Sequence, residues 1–147
     1  MYSLSGSVPY RLNRLGTRLG ILFGKRIAQY GLSLPMYQVL ASLSERPNQT
    51  LGELAQTASA ILPTMSRMIG SMVERGWVTR ERSNLDERSV HINLTPNGRE
   101  LANALLAEAE HYQAVVVDGL SPSEVEKLKA LLDRIYGALD GLEAELK

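Results

Sequence analysis

A mainly α-helical chain carrying one small β-hairpin is the fold class this sequence predicts, and three observations predict it. Apolar residues recur at helical spacing through most of the 147 residues. The exception is a pair of short alternating segments, around Val78–Arg82 and Val90–Leu94, joined by a polar, turn-rich connector at 83–87. Ser, Thr, Pro and Gly stand where helix starts and stops require them.

The elements follow in order. From residue 8 to about 30, Val8, Leu12, Leu15, Leu19 and Leu22 step by four, three, four and three, one seam of a helix that Gly31 stops. Ser33 is placed to cap a second helix, with Met36, Val39, Leu40 and Leu43 as its buried face and its end before Pro47. Thr50 and Glu53 form a capping box: the hydroxyl accepts from the amide of the third helical residue while the carboxylate reaches back to the cap. The helix they open is short, 51 to about 58, with Leu51, Leu54, Ala55 and Ala58 inside.

A turn at 59–62 leads to Pro63, whose fixed φ suits a first helical position. The fourth helix buries Met65, Met68, Ile69, Met72 and Val73, and Gly76 closes it just past the C-cap. In the hairpin, Val78, Arg80 and Arg82 share one face of the first strand; Val90, Ile92 and Leu94 share one face of the second. Thr95 and Pro96 open a fifth helix with Leu101, Leu105, Ala109, Tyr112 and Val116 on one face. The β-branched run at 115–117 weakens its end before Gly119. Ser121 and Glu124 make a second capping box with Pro122 at the first position. The last helix carries Val125, Leu128, Leu132, Ile135, Leu139, Leu142 and Leu146 at alternating steps of three and four, a seam of three heptads.

The order is α-α-α-α-β-β-α-α within a single domain, 1–147. Residues 50–94 read as a helix–turn–helix plus hairpin, a winged helix that can close its own core. The helices at 8–46 and 95–147 flank it as a dimerisation lobe. Two long seams lie outside the winged-helix core: Leu12, Leu15 and Leu19 near one end, and Leu128, Leu132, Ile135, Leu139 and Leu142 near the other. An apolar seam without a partner in its own chain needs one in another, and the two-fold dimer is the commonest oligomer. The alternative is that the terminal helices pack only on each other within one chain.

Composition bounds the class. Apolar residues are 44% and charged residues 22%, near the globular average. The absence of cysteine removes disulfide scaffolds, Cys-ligated metal and thiol chemistry. Unbroken apolar runs, such as 104–107 and 114–117, reach about four residues, far short of the ~20 that span a bilayer. Residues 1–9 are polar and lack the basic and apolar regions of a signal peptide, so a cytoplasmic protein with no membrane partner is expected. The net charge is zero but unevenly spread: residues 1–46 hold six basic groups and one acid, 47–91 five of each, and 92–147 five basic groups and ten acids. Such asymmetry suggests a basic surface held by an acidic scaffold.

In helix–turn–helix proteins the second helix enters the major groove with its N-terminal residues at base edges. Here that helix presents Pro63, Thr64, Ser66 and Arg67, with Gly70 and Ser71 one turn later. Hydroxyls bond bases or phosphates, and arginine chelates a guanine edge. The tip of the hairpin adds Asp86 and Arg88. An arginine at the tip of a β-ribbon can lie in a minor groove, where negative potential concentrates, and Asp86 can hold it in one rotamer. The plainer reading is a small polar helix face and an ordinary solvated turn.

Together these residues resemble a known family. The stretch from Asp86 and Arg88 through Leu94, Thr95 and Gly98 resembles the wing signature of the MarR (multiple antibiotic resistance regulator) family: D-x-R-[RS], a short strand, then L-T-x-x-G. Pro63-Thr-Met-Ser-Arg67, followed by Glu74-Arg-Gly76-Trp-Val78, is similar to that family's recognition helix and its exit. The resemblance spans about residues 8–146. It implies a dimeric winged-helix transcription regulator, usually a repressor, often released by a small aromatic or anionic ligand; the two-fold symmetry of such a dimer predicts an inverted-repeat operator. By position, it places Thr64, Ser66 and Arg67 at the major groove, and Arg88 at the minor groove with Asp86 orienting it.

The chain departs from the pattern in places. Gly70 and Ser71 stand where the family more often has an acidic then a basic residue, so Ser71 brings no charge to the phosphate contact expected there. Gly70 serves either a close backbone approach to DNA or helix packing, with packing the favoured reading. Ile61 and Leu62 precede Pro63 where a polar cap is usual. Elsewhere, His91 alternates with Val90 and Ile92 and is expected to face outward, and His111 lies twenty positions away, so neither a metal nor a cofactor is expected. Met65, Met68 and Met72 read as core filling, and Trp77 as packing between wing and helices. No nucleophile or acid–base constellation suggests an enzyme. The competing function is a winged-helix module that binds protein; it predicts an apolar or acidic recognition helix and no arginine at the wing tip.

Overall fold

The structure is a computed structural model that describes residues 1–82 and 89–147. Its elements are α1 (Val8–Ile27), a 3-10 turn (Ala28–Tyr30), α2 (Leu34–Glu45), β1 (Gln49–Thr50), α3 (Leu51–Thr57), α4 (Leu62–Glu74), β2 (Val78–Arg82), β3 (Val90–Leu94), α5 (Pro96–Val116) and α6 (Pro122–Glu145). The backbone forms two compact units, Met1–Ala109 and Glu110–Lys147, divided within α5.

The helix starts obey local chemistry. Ser33 accepts from the Met36 amide at 3.4 Å, as expected. Both capping boxes form: Thr50 Oγ1 accepts from Glu53 N at 3.2 Å, and Ser121 Oγ accepts from Glu124 N at 3.2 Å, each with the glutamate accepting in return from the cap amide. Each satisfies backbone donors that the first helical turn leaves open. Ser7, which the seam did not reveal, caps α1 by accepting from Tyr10 N at 3.2 Å.

The ends of α3, α4 and the 3-10 turn are closed by left-handed residues. Gly76, at φ 75°, follows the C-cap Arg75; its amide donates to Val73 O and that of Trp77 to Met72 O, both bonds of a Schellman motif. The same pair of bonds closes α3, from Ser59 to Gln56 O and from Ala60 to Ala55 O, with Ser59 at φ 52°. The first helix stops earlier than its seam suggests. It tightens into the 3-10 turn at Ala28, and Gly31 reverses the chain at φ 76°.

Burial in the first unit centres on Phe23 and Ile27 of α1, Val39, Leu40 and Leu43 of α2, Leu54 of α3, and Met65, Ile69 and Met72 of α4. Some expectations need correction. Met36, Leu51, Ala58 and Met68 are half-buried, and Val73 is exposed. The core covers only the 65–69–72 side of α4, and Val73 lies beyond its edge. On α1, Val8, Leu15 and Leu22 are exposed and Leu12 and Leu19 half-buried; burial falls instead on Phe23 and Ile27. Arg26 of α1 and Glu108 of α5 form an ion pair at 2.6 Å, which raises the pKa of the guanidinium above its ordinary value.

The hairpin is part of a larger sheet. The strand order is β1-β3-β2, all antiparallel, so β3 is central. Gln49 stands opposite Ile92, and Thr50 opposite His91. A two-residue strand has no alternation to read, so β1 escaped the sequence. Gln49 is fully buried, and its amide is saturated. Nε2 donates to Ser42 O at 2.9 Å and Arg46 O at 2.7 Å, while Oε1 accepts from Arg46 Nη2 at 3.2 Å. This ties the end of α2 to β1 without leaving a buried polar group open. His91 does not simply face outward: it is half-buried, and its Nδ1 donates to Asn48 O at 3.2 Å.

The second unit is the end of α5 and the whole of α6. On α6, Val125 is half-buried and every other residue is exposed. That includes Leu128, Leu132, Ile135, Leu139 and Leu142 of the heptad seam.

Candidate nucleic-acid interface

α3, a turn at 58–61 and α4 make the helix–turn–helix, and β2 leaves α4 through the Gly76 reversal. α4 begins one residue earlier than Pro63, with Ile61 at the N-cap and no side-chain hydrogen bond there. The poor cap read from the sequence is therefore present. Pro63, Thr64 and Arg67 are exposed, and Ser66 and Ser71 are half-buried. At about 100° per residue, Pro63, Arg67, Gly70 and Glu74 fall along the outward stripe of α4. Ser66 lies along one border, and Thr64 and Ser71 along the other. The apolar residues Ile61 and Leu62 are exposed at the head of this stripe.

The glycines sort by space. Among the described residues, a Cβ at Gly70 would meet only Arg80 Nη2, at 3.9 Å, an ordinary contact. Helix packing therefore does not demand glycine there, against the favoured sequence reading. Gly98 is the opposite case. A Cβ there would collide with the carbonyl oxygen of Trp77. Thr95, between them, donates its hydroxyl to Gly76 O and accepts from Gly98 N at 3.0 Å, and its own amide donates to Trp77 O at 3.0 Å. The L-T-x-x-G pattern is thus the joint that seats the start of α5 on the exit of α4.

Two arginines missed as functional candidates brace α4. Arg75 donates from Nη1 to Gly31 O at 2.6 Å and lies over the Trp77 ring at 5.0 Å from its centroid. Arg80 donates from Nη2 to Ser66 O at 2.5 Å. The only sequence sign of the second was the alternation that put Arg80 on the face of Val78. Asp86 and Arg88 lie outside the described residues. Among the described residues no group of three or more His, Asp or Glu could hold a metal ion.

A helix–turn–helix whose second helix shows a small polar stripe, backed by a three-stranded wing sheet, defines a winged-helix DNA-binding protein. The MarR family model matches residues 32–90. The organic hydroperoxide resistance transcriptional regulator of Bacillus subtilis is 33% identical over 111 residues, 76% of this chain and 72% of that protein. The HTH-type transcriptional repressor Rv2887 of Mycobacterium tuberculosis is 29% identical over 126 residues, 86% of this chain and 91% of that protein. Among solved structures, the transcriptional repressor CouR bound to a 23-mer DNA duplex superposes with a TM-score of 0.78 at 28% identity, covering 90% of this chain and 94% of that one. The chain belongs to the MarR family, and it is a DNA-binding transcription regulator.

Proposed function

We propose that this regulator works in the cytoplasm as a homodimer that represses a nearby operon from an inverted-repeat operator, and that a small aromatic or anionic ligand releases it. Residues 50–94 form the DNA-binding lobe in this reading, and the helices at 8–46 and 95–147 the dimerisation lobe. Thr64, Ser66 and Arg67 meet base edges and phosphates in the major groove, with Pro63 at the entry and Ser71 at the flank. Arg88, oriented by Asp86, occupies the minor groove. Leu12, Leu15 and Leu19 join the heptad seam of α6 in the contact between chains. No helix among the described residues is long and apolar enough to cross a membrane.

The observation that carries this reading is the exposed N-terminal half of α4, where Thr64 and Arg67 stand clear of the core. Two such helices related by a two-fold axis meet successive major grooves, with half-site centres about 10–10.5 base pairs apart or a multiple of that. DNA selected from a random pool should therefore contain an inverted repeat. Arg67→Ala should cost about 1–3 kcal/mol per base contact and blunt discrimination at one position, whereas Arg88→Ala should weaken all DNA alike. Selection of an asymmetric site, footprinted by one chain, overturns the symmetric model. Full affinity in Arg88→Ala overturns the minor-groove assignment.

A further inference from the structure

Arg80 lies outside both motifs that point to DNA, yet it reaches the recognition helix. In the β2–β3 register it stands opposite Ile92, and Val78 stands opposite Leu94. Partners directly opposite share a sheet face. Arg80 therefore shares its face with the fully buried Ile92 and with Val78. Its side chain leads out of this face to α4, where Nη2 bonds Ser66 O at 2.5 Å and lies 3.5 Å from Ser66 Oγ. One turn on, Gly70 has no side chain, and the same nitrogen passes 3.9 Å from where a Cβ would stand. Ser66 and Gly70 mark one side of the outward stripe that holds Arg67.

We propose that Arg80 is a phosphate-contacting residue of the DNA interface: a cation that the strand delivers to one side of the outward face of the recognition helix, beside Ser66 and Gly70, which carry no charge. The inference rests on the reading that α4 faces DNA. The arginine is exposed, and a guanidinium has five N–H donors in a fixed fork. Ser66 engages one nitrogen; the rest of the fork has no other bond among the described residues. A backbone carbonyl as anchor fixes the position of the group before DNA arrives, so less side-chain entropy is lost on contact. The remaining donors suit the paired, charge-assisted hydrogen bonds that arginine makes to phosphate. The positive charge that α4 lacks at Gly70 and Ser71 is supplied by the neighbouring strand.

The test is the salt dependence of DNA binding by the full chain, on its selected duplex and on random duplex, for wild type, Arg80→Gln and Arg80→Lys. Glutamine keeps a donor for Ser66 O and removes the charge; lysine keeps the charge. If each chain of a dimer loses one phosphate contact, the log–log salt slope falls by about 0.9 per chain. From 50 to 200 mM salt, Arg80→Gln should then lose affinity about twelvefold less steeply than wild type. The loss should appear on both duplexes, and Arg80→Lys should restore the slope. Thermal melts of all three proteins report folding separately. Wild-type binding with an unchanged slope in Arg80→Gln overturns the contact, because a brace that acts only on structure lowers affinity or melting temperature without moving the slope. Absence of salt-dependent binding in the wild type overturns the DNA-facing reading of α4 and this contact with it.

Discussion

Leu139→Asp in α6 is expected to split the dimer into folded monomers. In the single chain the seam residues Leu128, Leu132, Ile135, Leu139 and Leu142 are 40%, 41%, 37%, 50% and 52% exposed. Fully burying such a side chain is worth about 1.5–3 kcal/mol, so covering what remains is worth roughly 0.6–1.5 kcal/mol at each. Five positions on each of two chains then contribute about 6–15 kcal/mol, against an association cost of about 4–15 kcal/mol. The seam is thus needed nearly whole. An aspartate there forfeits its share and puts an unpaired carboxylate into the contact, at a cost of several kcal/mol per ion. A two-fold contact repeats the damage on the other chain. The dissociation constant should rise at least about a thousandfold, equivalent to about 4 kcal/mol. Because Leu139 is exposed in the isolated chain, the same change should cost the monomer only about 0.5 kcal/mol in helix propensity. Sedimentation across nanomolar to micromolar concentrations, with far-UV circular dichroism alongside, separates dissociation from unfolding. A folded monomer in the wild type at micromolar concentration refutes the argument, as does an undiminished dimer in Leu139→Asp.

Gln49→Leu should destabilise the chain by about 2–4 kcal/mol in urea denaturation, because it strips partners from Ser42 O and Arg46 O in a fully buried site; a change within 0.5 kcal/mol, roughly the level of a surface substitution, would contradict the saturated network. Gly98→Ala should cost about 3 kcal/mol, since its Cβ would press on the Trp77 carbonyl; a melting temperature equal to wild type would show that the joint yields freely. Glu124 is held below its ordinary carboxylate pKa by the Ser121 amide first and the Ser121 hydroxyl second. The stabilisation is therefore fully present above the ordinary carboxylate range and disappears as pH falls through the lowered value. Carbon-13 NMR titration should find the depressed value, and Ser121→Ala should move it upward; an ordinary value in the wild type contradicts the capping box.

What the sequence disclosed depended on how far each signal reached along the chain. Thr50 with Glu53, and Ser121 with Glu124, interact three residues apart, so their boxes were legible in full. Gly76 was equally plain, because a left-handed C′ favours that residue. Ser59 adopts the same backbone region without a glycine or asparagine to mark it. Val73 fitted the helical period but not the width of the surface that covers α4, which no local pattern records. The Arg80–Ser66 bond spans fourteen positions and two kinds of element, beyond any periodicity. At the interface, the helix and its exposed stripe were foreseen from residues 63–71, whereas the arginines that brace it were not. The candidates Asp86 and Arg88 still rest on sequence and family resemblance.

Thr50 serves two elements at once: its backbone pairs with His91 in β3, and its side chain caps α3. Nothing intervenes to absorb a displacement. A rotation of α3 pulls on the central strand, and the strand carries β2, and with it Arg80 and Ser66, along. The reading head therefore has few internal degrees of freedom. A signal that weakens its hold on DNA acts more cheaply by moving two stiff heads apart than by bending either one. Successive major grooves on one side of a duplex lie about 34–36 Å apart, and that fixed spacing turns a small change in separation into a mismatch neither head can correct by itself.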